Sequence, residues 1–177
     1  MKQGYYRVKV YGFYRYGDLI GAAIAHRDGT EKLLTSLYVQ TETEDFATPL
    51  ASLFECVHDG LLSPDDALLP DSLFPGSDRT YHCVADKRLG ARAAMTWGYY
   101  EVDKPFYVKE GESVVVGVRK DDGLVNDWVC IDDFSLEYLG DGETNRPDDF
   151  VDNIDEVFVG GETATVVASE WYTINGV

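Results

Sequence analysis

Basic residues are scarce. The 177-residue chain holds 15 Lys and Arg against 32 Asp and Glu, a formal net charge of −17. A surface of that sign repels phosphate, which sets aside nucleic acid and anionic membranes as partners. It suits a soluble exported protein or one that binds calcium, and solubility alone is the simpler account. No apolar run approaches ~18 residues, so no membrane insertion is expected. The opening MKQGYYRVKV has no signal-peptide pattern and enters a strand almost at once, which suggests a domain cut from a longer protein. Cysteine is sparse too: Cys56, Cys83 and Cys130 lack metal-ligand spacing. Their odd number leaves at least one without a partner in the chain, and a Cys56–Cys83 bridge is one open option. His26, His58 and His82 are scattered and expected on the surface or in loops. Neither G-x-S-x-G nor H-E-x-x-H occurs. Acidic pairs such as Asp65-Asp66 carry no signal for glycoside hydrolysis in so acidic a chain. No enzyme is expected.

Aromatic residues are plentiful, with 12 Tyr, 8 Phe and 3 Trp. Tyrosine suits sheets, where the ring covers apolar surface and the hydroxyl stays wet. It also suits sugar binding, in which a ring stacks on the C–H face of the sugar. The apolar content of 45% predicts a packed core, and the length allows one domain of about 100–150 residues plus a tail.

Period-two alternation places a strand over YYRVKVYGFYRYGD, with Tyr6, Val8 and Val10 on one side and Arg7 and Lys9 on the other. Gly12 suggests a bulge or a close approach. LIGAAIAHRDGT reads as a second strand before an Asp-Gly turn, and EKLLTSLYVQTE as a third. A short helix is expected next, with Thr48 as N-cap, Pro49 in its first turn, and Leu50, Leu53, Phe54 and Val57 inward. The stretch from Leu61 to Arg79 reads as a long connection. A second helix, capped by Asp86, carries Leu89, Ala93 and Trp97 on one face. Strands follow in KPFYVKEG, ESVVVGVRKDD and DWVCIDDFSLEYLG. Together these predict a mostly β, antiparallel two-sheet sandwich over residues 1–140 with two short helices. Residues 141–156 read as an acidic linker. Residues 157–177 read as one or two strands, docked on the module, paired with another chain, or opening a truncated further module.

Two stretches carry a resemblance. YYRVKVYGFYR resembles the first core strand of galactose-binding-like jelly rolls, and SVVVGVRKDDGLVNDWVCIDDFSLEYLG resembles their closing hairpin. The chain is similar over about Tyr5–Gly140 to carbohydrate-binding-module-like domains in large secreted or surface proteins of gut anaerobes. The resemblance implies a jelly roll, an extracellular or cell-surface location, and often a structural calcium. Relatives bind glycans, serve as spacers or mediate protein contacts.

Strict alternation along the closing strand puts Trp128, Cys130, Asp132, Phe134, Leu136 and Tyr138 on one face. Asp132 is then a carboxylate on the core side and needs backbone donors, an arginine or a calcium ion. If the first and closing strands run antiparallel, Tyr16 and Asp18 lie near Asn126, Asp127 and Trp128, with Arg119 and Lys120 at the same end. That rim has the groups of a sugar site: a ring to stack on and a fork of donors and acceptors. The simpler alternative is that Trp128 caps the core while Asn126 and Asp127 close a turn. Two functions follow: a non-catalytic glycan-binding module using Trp128, Asn126, Asp127, Arg119, Tyr16 and Asp18, or a structural and adhesive module whose partner is a neighbouring protein domain.

Overall fold

A computed structural model of the chain describes residues 1–61, 63–150, 156–159 and 162–165. In chain order its elements are β1 (Gly4–Arg15), α1 (Leu19–Arg27), β2 (Thr35–Gln40), β3 (Asp45–Pro49), β4 (Ala51–Ser52), β5 (Ala67–Leu69), β6 (His82–Val84), α2 (Arg88–Thr96), β7 (Glu101–Val108), β8 (Val115–Lys120), β9 (Trp128–Gly140), β10 (Glu156–Val159) and β11 (Glu162–Thr165). The fold is mostly β, with several sheets and two helices.

β1 is the spine. One edge pairs with β9 along its length, from Tyr5 opposite Gly140 to Arg15 opposite Trp128. The other edge pairs antiparallel with β7 over Gly4–Tyr11, then parallel with β4 at Phe13 and Tyr14. The alternation expected in the first half of β1 is present. Tyr6, Val8 and Val10 are buried. On the opposite face Arg7 pairs with Asp103, and Lys9 pairs with Glu101 at 2.8 Å. A second sheet of order β3-β2-β8 supplies Leu37, Val39 and Phe46 to the same core cluster. The rings of Phe46 and Phe106 stand 6.4 Å apart there.

Beyond Gly12 both faces of β1 are covered, and Phe13 and Tyr14 have no exposure. Phe13 packs against the rings of Tyr100 and Trp128. Gly12 marks a close approach. A Cβ there would stand 3.0 Å from Ile131 Cγ2 and 3.3 Å from Leu50 Cδ1.

Three local expectations are corrected. Leu19–Arg27 is a helix and not a strand. Asp18 caps it by accepting a hydrogen bond from the Gly21 amide, and Ala22, Ala23 and Ala25 form its buried face. The helix expected after Thr48 is absent. Thr48 and Pro49 sit in β3 opposite Leu37 and Ser36, and only a 3₁₀ turn follows at Leu53–Glu55, capped by Ser52. Pairing with β2 outweighs the local Thr-Pro signal. The second helix exists, but it starts after Lys87 and buries Gly90, Ala91, Ala94 and Met95. Leu89 and Trp97, placed together on one face, are both exposed.

After Gly140 the chain stays fastened to β1. Asp149 accepts hydrogen bonds from both Arg7 Nη atoms, at 3.0 and 2.6 Å, and the Phe150 ring lies 5.2 Å from that of Tyr5. β10 and β11 pair antiparallel. The rest of the expected linker and tail, residues 151–155, 160–161 and 166–177, lies outside the described residues.

Candidate functional site

The closing strand departs from strict alternation at one place. Tyr11 faces Asp132 and Lys9 faces Ser135, so two residues of β1 span three of β9. The extra residue makes a β-bulge, and Asp133 adopts a left-handed backbone with φ 48°. A residue paired across an antiparallel ladder shares its partner's face. Before the bulge, Trp128, Cys130 and Asp132 therefore lie on the face of Arg15, Phe13 and Tyr11. After it, Leu136 and Tyr138 lie on the opposite face with Val8 and Tyr6. Phe134, two residues before Leu136, joins them, and so does Ile131 opposite Gly12.

This overturns the placement of Asp132 beside Phe134 on the core face. Asp132 is exposed, and its Oδ1 accepts a hydrogen bond from the Asp133 amide at 3.0 Å. A solvated carboxylate needs no buried partner, so the reason for placing calcium there is gone. Among the described residues no three His, Cys, Asp or Glu side chains gather as a metal site requires.

The bulge leaves Ile131, Phe134, Leu136 and Tyr138 in one apolar row, 50%, 44%, 44% and 36% exposed. Val8, on the same face one strand inward, is fully buried. The row thus continues the core surface outward; among the described residues Lys2 Nζ lies 4.6 Å over the Tyr138 ring, and Ile131, Phe134 and Leu136 stay about half exposed. Among the described residues β9, 13 residues long, pairs only with β1, so its other edge has no partner strand.

The rim at the start of β9 comes together, but its polar groups are already used. Asp127 Oδ2 accepts hydrogen bonds from the Tyr14 hydroxyl at 3.0 Å and the Leu124 amide at 2.9 Å, and pairs with Lys120 Nζ at 2.6 Å. Burial pulls the Asp127 carboxyl upward, but the Lys120, Leu124 and Tyr14 contacts outweigh it and hold the carboxyl below its ordinary value. The same contact, after burial, raises the Tyr14 hydroxyl. Asn126 turns the chain with φ 66°, and its carbonyl accepts from Arg15 Nη2 at 2.7 Å. Arg15 also donates to the Gly17 carbonyl at 2.9 Å, pairs with Asp86, and lies 5.8 Å over the Trp128 ring. Burial raises the Asp86 carboxyl, with Arg15 acting against it. Trp128 is half-buried against Phe13 at 5.1 Å.

Two expected members of the rim are employed elsewhere. Asp18 caps α1. Arg119 points to the other face of its sheet, over the Tyr38 ring at 5.8 Å and near Asp45 and Asp121 at 3.7 and 3.4 Å. Tyr16 is half-buried and packs against the core cluster. The turn-closing alternative therefore describes Asn126 and Asp127. Arg15 binds this corner together, and local pattern does not reveal it because its partner Asp86 lies far along the chain.

His58 and His82 are buried, against expectation; His82 stacks on Phe74 with ring centres 4.5 Å apart. All three cysteines are free thiols. Burial pushes the Cys56 thiol up to about 11. Among the described residues no helix is long and apolar enough to cross a membrane. No protein-family model, no curated protein and no solved structure matches the chain.

Proposed function

We propose that the chain is a non-catalytic attachment module of an exported protein, a two-sheet jelly roll that holds a neighbouring protein domain along β9. The observation that carries this reading is the apolar row Ile131, Phe134, Leu136 and Tyr138, half-exposed beside an unpaired edge. Contiguous exposed apolar surface of this kind marks interaction sites in soluble proteins. The resemblance to modules of surface proteins supports it, since spacer and contact roles occur in that group. Glycan binding retains one favourable observation: the Trp97 ring is 74% exposed at the end of α2, with Tyr99 exposed beside it.

A test separates a docking surface from an ordinary core margin. Replacing both Phe134 and Leu136 with Ser removes apolar area that is about half covered, which costs roughly 1 kcal/mol for each side chain. The double variant is expected to unfold cooperatively, with a thermal midpoint lowered by several degrees. It is also expected to bind an environment-sensitive hydrophobic dye much less than the native chain. Loss of the folded state, or undiminished dye binding, would contradict the proposal.

A further inference from the structure

Resting on the attachment reading, we propose that the outer edge of β9 takes up an extended segment of a partner protein in which apolar residues alternate with lysine or arginine, added as a further strand. A strand laid there satisfies the backbone groups of β9 and sends alternate side chains to opposite faces. One set continues the row of Ile131, Phe134, Leu136 and Tyr138 and must be apolar to cover it. The other set emerges on the opposite face, where β9 presents Asp132, Ser135 and Glu137, with Asp133 at the bulge.

The charge on that face selects the partner. Asp132, Asp133 and Glu137 are exposed and form no ion pair among the described residues. The nearest cations of β1 are engaged elsewhere. Arg7 stands opposite Glu137 but binds Asp103 and Asp149, and Lys9 stands opposite Ser135 but binds Glu101. Cross-strand pairing favours opposite charges and penalises like ones. The same acids argue against a second copy of the chain. Two β9 edges set side by side would align their own carboxylates, and each chain carries a net charge of −17. Outward acids on an exposed strand also deter self-pairing.

The test titrates the full chain against two fluorescent acetylated decapeptides, one alternating Val with Lys and a twin alternating Val with Glu. The Lys peptide is expected to bind about tenfold more tightly than its twin, with the difference shrinking in high salt. Asp132→Lys combined with Glu137→Lys is expected to reverse the order, and Phe134→Ser with Leu136→Ser to weaken both peptides. Equal binding of the two peptides, lost in the Ser variant, would overturn the basic partner and leave the attachment reading standing. Failure of both peptides to bind would overturn strand addition, and the dye result then judges the attachment reading separately. A dimer in sedimentation would assign the edge to a second copy, and β9 amides protected from exchange before peptide is added would assign it to the chain itself; either result overturns the proposal.

Discussion

Phe106→Ala is expected to lower stability by about 4 kcal/mol, the middle of the range for truncating a buried ring. Phe106 has no exposure. Its ring lies 5.7 Å from that of Tyr6 in the same sheet and 6.4 Å from that of Phe46 in the other. It therefore packs between the sheet of β1 and β7 and the sheet of β2, β3 and β8. Urea unfolding followed by tryptophan fluorescence measures the loss. A loss near 1 kcal/mol, the size expected of a half-exposed ring, would mean that the two sheets do not share one core.

Asp127→Ala is expected to cost about 2 kcal/mol, because it strands the hydroxyl of the fully buried Tyr14 and removes the ion pair with Lys120, while the exposed Leu124 amide and Lys120 ammonium turn to water. The loss depends on pH. In the folded chain the Asp127 carboxyl is held below its ordinary value, with burial opposing and the contacts from Lys120, Leu124 and Tyr14 prevailing. Its stabilisation is therefore complete above the ordinary carboxylate pKa of about 3.9. It fades as pH falls through the lower folded value. The gap between native and Asp127→Ala chains is expected to narrow between neutral pH and about pH 2. A gap of constant width would show that the carboxylate charge plays no part.

Some of this structure is legible in the sequence. The first half of β1 announces itself, since Tyr6, Val8 and Val10 alternate with Arg7 and Lys9. The strands at β2, β7, β8 and β9 are read in the same way. α1 is misread because GAAIA has no apolar period; its alanines, the best helix formers, and Asp18, a ready N-cap, are the available clues. Thr48-Pro49 misleads in the other direction, because partners far along the chain decide its fate. The placement of Asp132 fails for a single reason. Alternation carried unbroken through 13 residues of β9 puts Asp132 beside Phe134. The spacing of Ile131, Phe134, Leu136 and Tyr138 fits one face only if a residue between Ile131 and Phe134 is extra. The Asp132-Asp133 doublet sits there, and aspartate is among the few residues that tolerate a left-handed backbone. The acid among the core rings is thus an artefact of counting by twos.

The bulge also changes what β9 offers. It turns the carboxylates outward and brings four apolar side chains into line along an edge that no described strand covers. Acids on one face and apolar groups on the other give the edge a polarity that a partner strand must match.

Deleting Asp133 tests this most directly. In an ordinary strand, removing one residue sends every later side chain to the wrong face. If Asp133 is the extra residue, its removal leaves a regular ladder with Phe134 opposite Val10, Ser135 still opposite Lys9 and Leu136 still opposite Val8. Urea unfolding of the deletion variant is expected to give a stability within about 1 kcal/mol of the native chain, since the left-handed residue and its strain go together. A loss of several kcal/mol would mean that Glu137 has been driven toward Val8, and that β9 alternates without a bulge.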